Sequence, residues 1–150
     1  MTARFPGKHK RVLLDTCVWI YHIEQHPTFA ATAGRIIEKL RQGTFRGISS
    51  ELTLMELTVR PLQLGRQDVA DEYELLIDDF PNLELAAISR DILLEAAALR
   101  ARYKLRTPDA IQIATGIQMG ATIAVTNDEG WRNVPHIETL VLSDLTEIEP

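Results

Sequence analysis

The chain has 150 residues, enough for one domain with a substantial hydrophobic core. Hydrophobic residues make up 45% and charged residues 25%, as in ordinary globular proteins, and no apolar run reaches the roughly 20 residues that span a bilayer. The single cysteine, Cys17, excludes an internal disulfide, and the N-terminal apolar run is too short for a signal peptide, so we expect a cytoplasmic protein.

The net charge is −5, yet the basic residues are unevenly distributed along the chain. Residues 1–11 and 100–106 contain 8 of the 16 lysines and arginines and no acidic residue. This distribution allows local contact with phosphates on an otherwise acidic protein. The alternative for the second stretch is a solvated helix end. We interpret residues 1–10 as a basic N-terminal extension of a single domain that covers 1–150.

In chain order, strand-like and helix-like patterns alternate. Strands are predicted near 11–15, 45–49, 83–88, 122–125 and 139–145. Helices are predicted near 18–25, 28–43, 51–60, 66–80, 90–105 and 108–119. Pro61 is expected to end the third helix, and Ser50, Ser89 and Thr107 are expected to cap the helices that follow them. The alternation predicts an α/β fold, a parallel β-sheet flanked by helices on both faces.

Four acidic residues lie where such a fold builds binding sites, because ligands bind outside the carboxyl ends of parallel strands. Asp15 ends the first strand, and Asp128 follows the strand at 122–125. Asp109 begins the helix before that strand, and Glu56 lies among apolar neighbours in the helix after the second strand. Taken singly, each acid has an ordinary structural explanation, such as an N-cap, a partner of a helix dipole, a turn residue or a solvated helix position.

Convergence of the four acids would have a chemical consequence. Clustered carboxylates raise one another's pKa unless a cation lies among them. Ligands that offer only oxygen select hard cations, so the ion would be Mg²⁺ or Mn²⁺ rather than Zn²⁺.

Four segments that contain these acids resemble, in the same order, the motifs of the PIN-domain nucleases. The similarity is greatest to the VapC-like toxins of bacterial toxin–antitoxin pairs. The segments are LLDTCVWI (13–20), SSELTLMEL (49–57), TPDAIQIATGIQMGA (107–121) and IAVTND (123–128). The second contains Ser50, Thr53 and Glu56 at three-residue spacing. The resemblance covers the chain from about residue 11 onward.

The resemblance implies a PIN-like domain that acts as an Mg²⁺- or Mn²⁺-dependent endoribonuclease and leaves 5′-phosphate and 3′-hydroxyl ends. The implied metal ligands and catalytic residues are Asp15, Glu56, Asp109 and Asp128, with Glu56 as a ligand or a base, and the implied supporting residues are Thr126 and Asn127. The implied partners are RNA, a small antitoxin and a second copy of the chain. The helices at 28–43 and 50–60 are expected to offer apolar surface to an antitoxin segment, unless they form core or a dimer face.

The basic residues Arg102, Lys104 and Arg106 lead into the third motif and are expected to contact RNA phosphates. Two other functions remain open, a non-toxin RNA-processing nuclease and a catalytically silent PIN-like domain that binds RNA or protein.

Some positions depart from the family pattern or vary within it. Relatives often have Asn or Ser at the position of Cys17, which we interpret as a small buried group rather than a nucleophile. Asn127 and Asp144 are alternatives to Asp128 in the fourth motif, and Asp128 is favoured because it directly follows the strand. Trp131 is expected to pack in the protein rather than stack on a base.

Other site types fit the sequence poorly. It contains no Gly-rich phosphate loop with lysine and no G-x-S-x-G motif. His22 and His26 are four residues apart, but the glutamate between them is misplaced for a zinc protease, so we expect an exposed helix end. None of the four histidines lies in an acidic motif, which disfavours a His-based ribonuclease. A phospho-acceptor receiver domain would need an acidic pair after the first strand and a lysine after a late strand, and this sequence has neither.

Overall fold

The computed structural model describes residues 4–145 and 147–148. Its strands are β1 (Arg4–Phe5), β2 (Arg11–Leu14), β3 (Arg46–Ser50), β4 (Leu83–Ala86), β5 (Ile123–Thr126), β6 (Glu138–Val141) and β7 (Glu147–Ile148). Its α-helices are α1 (Thr16–Ile23), α2 (Ala30–Arg41), α3 (Leu52–Gln63), α4 (Gln67–Asp78), α5 (Arg90–Tyr103) and α6 (Thr107–Gln118). Short 3₁₀ helices cover Glu129–Asn133 and Leu142–Asp144. Across the described residues, none of the helices is long and apolar enough to cross a membrane.

Within the described residues, the central sheet has the strand order β4-β3-β2-β5-β6, and every neighbouring pair is parallel. Leu13 of β2 lies opposite Ile48 of β3 on one side and Ala124 of β5 on the other. The chain builds the sheet outward from β2 in one direction and then returns to add β5 and β6 on the other side. The carboxyl ends of β2 and β5 therefore flank the switch point at which such sheets bind ligands.

Alternation of side chains along the strands forms two hydrophobic cores. Val12 and Leu14 of β2 belong to a core with residues of α1, α2, α3 and α4. Leu13, between them in sequence, belongs to a core with residues of α5 and α6. Helices thus cover both faces of a parallel sheet, which confirms the predicted α/β fold.

Helix α6 lies unusually close to β2 because Gly116 faces the strand. A Cβ atom at position 116 would lie 2.7 Å from Cδ2 of Leu13, a distance too short for carbon atoms. Gly116 therefore allows α6 to pack closely against β2.

Residues 4–10 of the predicted N-terminal extension pack against the domain, and residues 1–3 lie outside the described residues. Phe5 is fully buried and makes an edge-to-face contact with Phe45, with 5.3 Å between ring centroids. The ring of His9 is hydrogen-bonded to Thr122 Oγ1 at 2.8 Å and to Glu138 Oε2 at 3.0 Å. The described part of this segment is therefore structured.

Four local predictions are wrong. Pro61 does not end α3, which continues to Gln63, because a proline in the last turn of a helix removes only one backbone hydrogen bond. Thr107 is the first helical residue of α6 and Arg106 is the N-cap, without a side-chain cap bond. The last predicted strand, 139–145, is shorter than expected, since β6 ends at Val141 and a 3₁₀ helix follows. The N-cap of α3 is Glu51 rather than Ser50, which ends β3, although Ser50 Oγ accepts a bond from the amide of Leu52. The cap at Ser89 is confirmed by a bond from the amide of Ile92.

Candidate active site

Three of the four predicted acids line one cavity at the carboxyl ends of β2 and β5. The cavity has a volume of about 350 Å³ and is lined by Asp15, Cys17, Tyr21, Arg106, Asp109, Asn127, Asp128 and Glu129. Asp15 is the N-cap of α1, directly after β2, and Asp109 lies in the first turn of α6. Asp128 caps the 3₁₀ helix after β5, where its Oδ1 accepts a bond of 2.8 Å from the amide of Gly130.

Asp15 is held by the end of β5. Thr126 Oγ1 donates a hydrogen bond of 2.7 Å to Asp15 Oδ2, and the amide of Asp15 donates to the carbonyl of Val125 at 3.0 Å. Burial raises the pKa of Asp15 to about 6; the Thr126 bond opposes this rise, and repulsion from Asp109 and Glu56 adds to it. The surroundings of Asp15 therefore disfavour its ionised, negatively charged form.

Arg106 contributes a cation to the cavity. Its Nε donates a hydrogen bond of 2.9 Å to Asp109 Oδ2, and its Nη2 lies 3.9 Å from Asp128 Oδ2. The Asp109 side chain is 10% exposed, whereas that of Arg106 is 75% exposed. Arg106, which is predicted to contact RNA phosphates, is thus paired with two of the predicted acids. Its exposed side chain is free to move away from them.

Glu56 lies beside the cavity rather than in its lining. Its charge contributes to the raised pKa of Asp15, and its Oε1 accepts a hydrogen bond of 2.9 Å from Thr16 Oγ1. Glu56 also lines a neighbouring cavity of about 230 Å³ with residues that include Leu57, Arg60 and Tyr73. The structure therefore brings three acids together and connects the fourth to them through the residue after Asp15.

A buried polar cluster behind the cavity connects α1, α3, β3 and α6. Gln112 Nε2 donates to Thr16 Oγ1 at 3.2 Å and to Thr53 Oγ1 at 3.1 Å, and the two hydroxyls are 2.9 Å apart. Gln112 Oε1 accepts a bond of 3.4 Å from the amide of Ser50. The three-residue spacing of the second motif points to Thr53, but no comparable spacing points to Thr16 or Gln112. The available signal was a glutamine one turn after Asp109, between the apolar residues Ile111 and Ile113.

The remaining predicted site residues surround the cavity or lie away from it. Asn127 Nδ2 donates to the Tyr21 hydroxyl at 3.2 Å, which connects the loop after β5 to α1. Arg102 and Lys104 are exposed at the C-terminal end of α5 and are not among the cavity's lining residues. Asp144 pairs with Arg132 instead of lining the cavity.

Cys17, Trp131 and His26 have structural roles. Cys17 is half-buried, and burial followed by repulsion from Asp15 raises its pKa, so the thiol stays protonated and is a poor nucleophile. Trp131 is 1% exposed, which confirms the predicted packing role. His26 Nδ1 accepts bonds from the amides of Thr28 and Phe29, at 3.1 and 3.2 Å, in the turn before α2.

The donor set of the cavity suits a hard divalent cation, because three carboxylates from separate elements offer only oxygen atoms. Among the described residues, however, no three Asp, Glu, His or Cys side chains are already grouped to hold a metal ion. Arg106 pairs with Asp109 and approaches Asp128, and Glu56 is engaged by Thr16. Binding of an ion among the three carboxylates would require Arg106 to move outward.

A family model described as PIN domain matches residues 12–137 of the chain. None of the curated proteins matches it significantly. Several solved structures share its fold. A toxin–antitoxin complex from Klebsiella pneumoniae has a TM-score of 0.67 at 22% identity, covering 87% of this chain and 97% of that chain. VapBC2 from Rickettsia felis, bound to a DNA fragment from their promoter, has a TM-score of 0.69 at 18% identity, covering 87% and 98%. FitAcB from Neisseria gonorrhoeae has a TM-score of 0.66 at 17% identity, covering 89% and 99%.

Proposed function

The chain belongs to the PIN-domain family, as its motifs predicted, and we propose that it is a metal-dependent endoribonuclease, the toxin of a toxin–antitoxin pair. PIN domains are nucleases as a family and generally depend on divalent metals. The observation that carries the proposal is the convergence of Asp15, Asp109 and Asp128 on one cavity at the switch point of the sheet.

Asp15, Asp109 and Asp128 would hold Mg²⁺ or Mn²⁺ in this cavity, with Glu56 at its edge as a further ligand or as a base. A bound divalent ion supplies Lewis-acid chemistry, which activates water and neutralises charge on the phosphodiester. The residues of the chain orient these groups. Thr126 donates to the carboxylate of Asp15, and the Thr16 hydroxyl donates to one oxygen of Glu56.

Arg106 would then contact substrate. A guanidinium that leaves the acids keeps its charge and its paired donors, which match a phosphate as well as they match a carboxylate. Its 75% exposed side chain lies at the mouth of the cavity, next to the basic end of α5 that carries Arg102 and Lys104. These residues would hold the RNA backbone without selecting its sequence.

An antitoxin segment would occupy the groove next to the acids. This groove has a volume of about 600 Å³, and its lining includes Ile20, Tyr21, Pro61, Leu64 and Val69. Tyr21 also lines the acidic cavity, so the two spaces adjoin. An apolar segment in the groove would deliver an Arg or Lys to the carboxylates and block them. The Klebsiella pneumoniae structure of the same fold is a toxin–antitoxin complex, which supports the proposal.

The structure changes the choice of apolar helix for partners. The large apolar residues of α2 are core, since Ile36, Ile37 and Leu40 are buried together with Ala33. Helix α3 exposes Met55, Val59 and Leu62, at 58%, 46% and 46%. We therefore assign partner contact, by an antitoxin or by a second copy in a homodimer, to α3 rather than α2. Sedimentation of the purified protein at several concentrations would test the homodimer.

The test of the nuclease is cleavage of RNA by the purified protein in Mn²⁺, in Mg²⁺ and in EDTA. We expect cutting with either metal, no cutting in EDTA, and 5′-phosphate ends on the products. Asp109→Asn should lose activity, whereas Asp71→Asn on the exposed face of α4 should retain it. Cutting in EDTA, or equal cutting by Asp109→Asn, would contradict the proposal.

The toxin role requires a separate test in cells. Expression of the wild type alone should slow growth in the cytoplasm of a bacterial host, Asp15→Asn and Asp109→Asn should be harmless, and the product of a short neighbouring gene should restore growth. Equal growth with wild type and Asp109→Asn at matched soluble levels would reject the toxin role. RNA cleavage in vitro would then indicate a processing nuclease, and its absence would indicate a silent binding domain.

A further inference from the structure

Gln112 is a buried amide at the junction of four elements. It lies on α6, one turn after Asp109, and is 1% exposed. Its three hydrogen-bond contacts are to the backbone amide of Ser50 on β3, the hydroxyl of Thr16 on α1 and the hydroxyl of Thr53 on α3. Thr16 and Thr53 are themselves 3% and 0% exposed, so water does not substitute for these contacts.

The orientation of the Gln112 amide follows from Ser50. A backbone amide is only a donor, so the group that faces it must be the carbonyl oxygen of the side chain. The NH₂ group of Gln112 then faces the two threonines and donates one hydrogen to each hydroxyl oxygen.

The direction of the remaining bonds follows from counting hydrogens. A carboxylate such as that of Glu56 only accepts, so the Thr16 hydroxyl uses its single hydrogen on Glu56 Oε1. Thr53 must then donate to Thr16, across the 2.9 Å between the two oxygens. Every hydrogen in the cluster is thereby committed, and the chain of donors runs from Gln112 through Thr53 and Thr16 to Glu56.

We propose that Gln112 is a positioning residue, which keeps Thr16 as the donor to Glu56 and so holds that carboxylate beside Asp15. This inference rests on the proposed metal-dependent function, because Glu56 acts there as a ligand or base. Without the amide, the hydroxyl oxygens of Thr16 and Thr53 lose the donor that holds them in place, so the Thr16 hydroxyl can rotate and Glu56 loses a fixed donor. Hydrogen-bond partners of metal ligands commonly change metal affinity by about 10- to 100-fold when removed.

The experiment is calorimetric titration of Mn²⁺ into the full chain, carried out as a double-mutant cycle. Gln112→Met removes the amide and keeps a similar volume, and Glu56→Gln removes the acid on which Gln112 is proposed to act. We expect Gln112→Met to weaken Mn²⁺ binding about 10-fold in the wild-type background. In the Glu56→Gln background it should change binding by less than about 2-fold, since the carboxylate has already been removed. Gln118→Met, on the exposed surface of the same helix, is the matched control and should bind as wild type does.

A second pair of variants covers the case in which Gln112→Met does not fold. Thr16→Val replaces the hydroxyl by a methyl of similar size and should weaken Mn²⁺ binding about as much as Gln112→Met. Thr16→Ser keeps the hydroxyl and should restore it. Equal weakening by Thr16→Val and Thr16→Ser would overturn the proposal.

The outcomes separate this inference from the proposed function. If the wild type binds Mn²⁺ and cleaves RNA, but Gln112→Met weakens binding equally in both backgrounds, Gln112 acts through general packing and the positioning role is overturned. Unchanged binding by a folded Gln112→Met overturns it as well. A wild type that neither binds Mn²⁺ nor cleaves RNA overturns the proposed function and the inference together.

Discussion

Asp15→Asn should stabilise the protein in the absence of divalent metal at neutral pH. Burial and neighbouring acids raise the pKa of Asp15 from 3.8 to about 6, so ionisation of this carboxyl opposes folding. Each pKa unit corresponds to about 1.4 kcal/mol, which makes the penalty about 3 kcal/mol when the carboxyl is fully ionised. The amide of Asn carries no charge and avoids this penalty.

The Asp15→Asn variant does not gain stability equal to the whole ionisation penalty. Thr126 Oγ1 donates to Asp15 Oδ2 at 2.7 Å, and a bond to a neutral amide oxygen is weaker than a bond to a carboxylate by about 1 kcal/mol. We therefore expect Asp15→Asn to raise the free energy of unfolding by about 1–2 kcal/mol at pH 7.5.

The pH dependence identifies the cause. Below pH 3.8 the carboxyl is protonated in the folded and the unfolded protein, and between pH 3.8 and about 6 only the folded protein keeps the proton. The stability of the wild type relative to Asp15→Asn should therefore fall as pH rises through this window and become constant above it. Urea unfolding in EDTA at intervals from pH 5 to pH 7.5 measures this difference.

Asp71→Asn, on the exposed face of α4, controls for loss of a negative charge in general. It should track the wild type within about 0.5 kcal/mol throughout. If Asp15→Asn is less stable than the wild type at pH 7.5, by an amount that is the same at pH 5, then ionisation of Asp15 does not oppose folding.

Further predictions concern Arg106, the basic end of α5 and the contact between α6 and β2. Arg106→Gln should bind Mn²⁺ more tightly than the wild type does, because the ion no longer displaces a guanidinium. Equal Mn²⁺ affinities of the variant and the wild type by calorimetry would contradict this. The double variant Arg102→Ala, Lys104→Ala should weaken RNA binding for all sequences alike and lower the slope of log affinity against log salt by about 1.4. An unchanged slope would show that the two residues form only a solvated helix end. Gly116→Ala should lower the free energy of unfolding by about 1–3 kcal/mol, because its Cβ would lie 2.7 Å from Leu13 Cδ2, and a loss below about 0.5 kcal/mol would show that α6 shifts easily.

The positions of the acids were predictable because they depend on local pattern. Asp15 and Asp128 directly follow apolar strands, and parallel sheets place their sites at strand ends. The acids therefore identified the end of the sheet that carries the cavity before any tertiary contact was known. Catalysis by these residues and the identity of the metal stay predictions.

The partners of the acids were less predictable because they depend on tertiary geometry. Arg106 precedes Asp109 by three residues, a spacing that allows contact without fixing the side-chain conformation. Its approach to Asp128 depends on how the loop after β5 lies against α6. The location of Glu56 beside the cavity depends similarly on the position of α3, which local periodicity does not encode.

The end of α3 also depends on tertiary contacts that local sequence does not encode. Pro61 is a strong stop signal in isolation, yet it lies in the last turn of α3 with its ring buried. The missing amide costs one bond there, and burial of the ring next to the groove offsets that cost. A rule based on local propensity does not include the free energy gained by burying the proline ring.

The order of the strands also determines when the cavity is formed during synthesis. The Thr126–Asp15 bond spans 111 residues, because β5 returns to pair with β2 after β3 and β4 have been added on the other side. A ribosome that has made residues 1–89 has produced three of the five strands of the central sheet, with Asp15 and Glu56 but neither Asp109 nor Asp128. The growing chain therefore carries an incomplete set of acids for most of its translation. A chain divided at residues 87–89 would yield two fragments that each lack part of the cavity, so only their reassembly would bring the acids together.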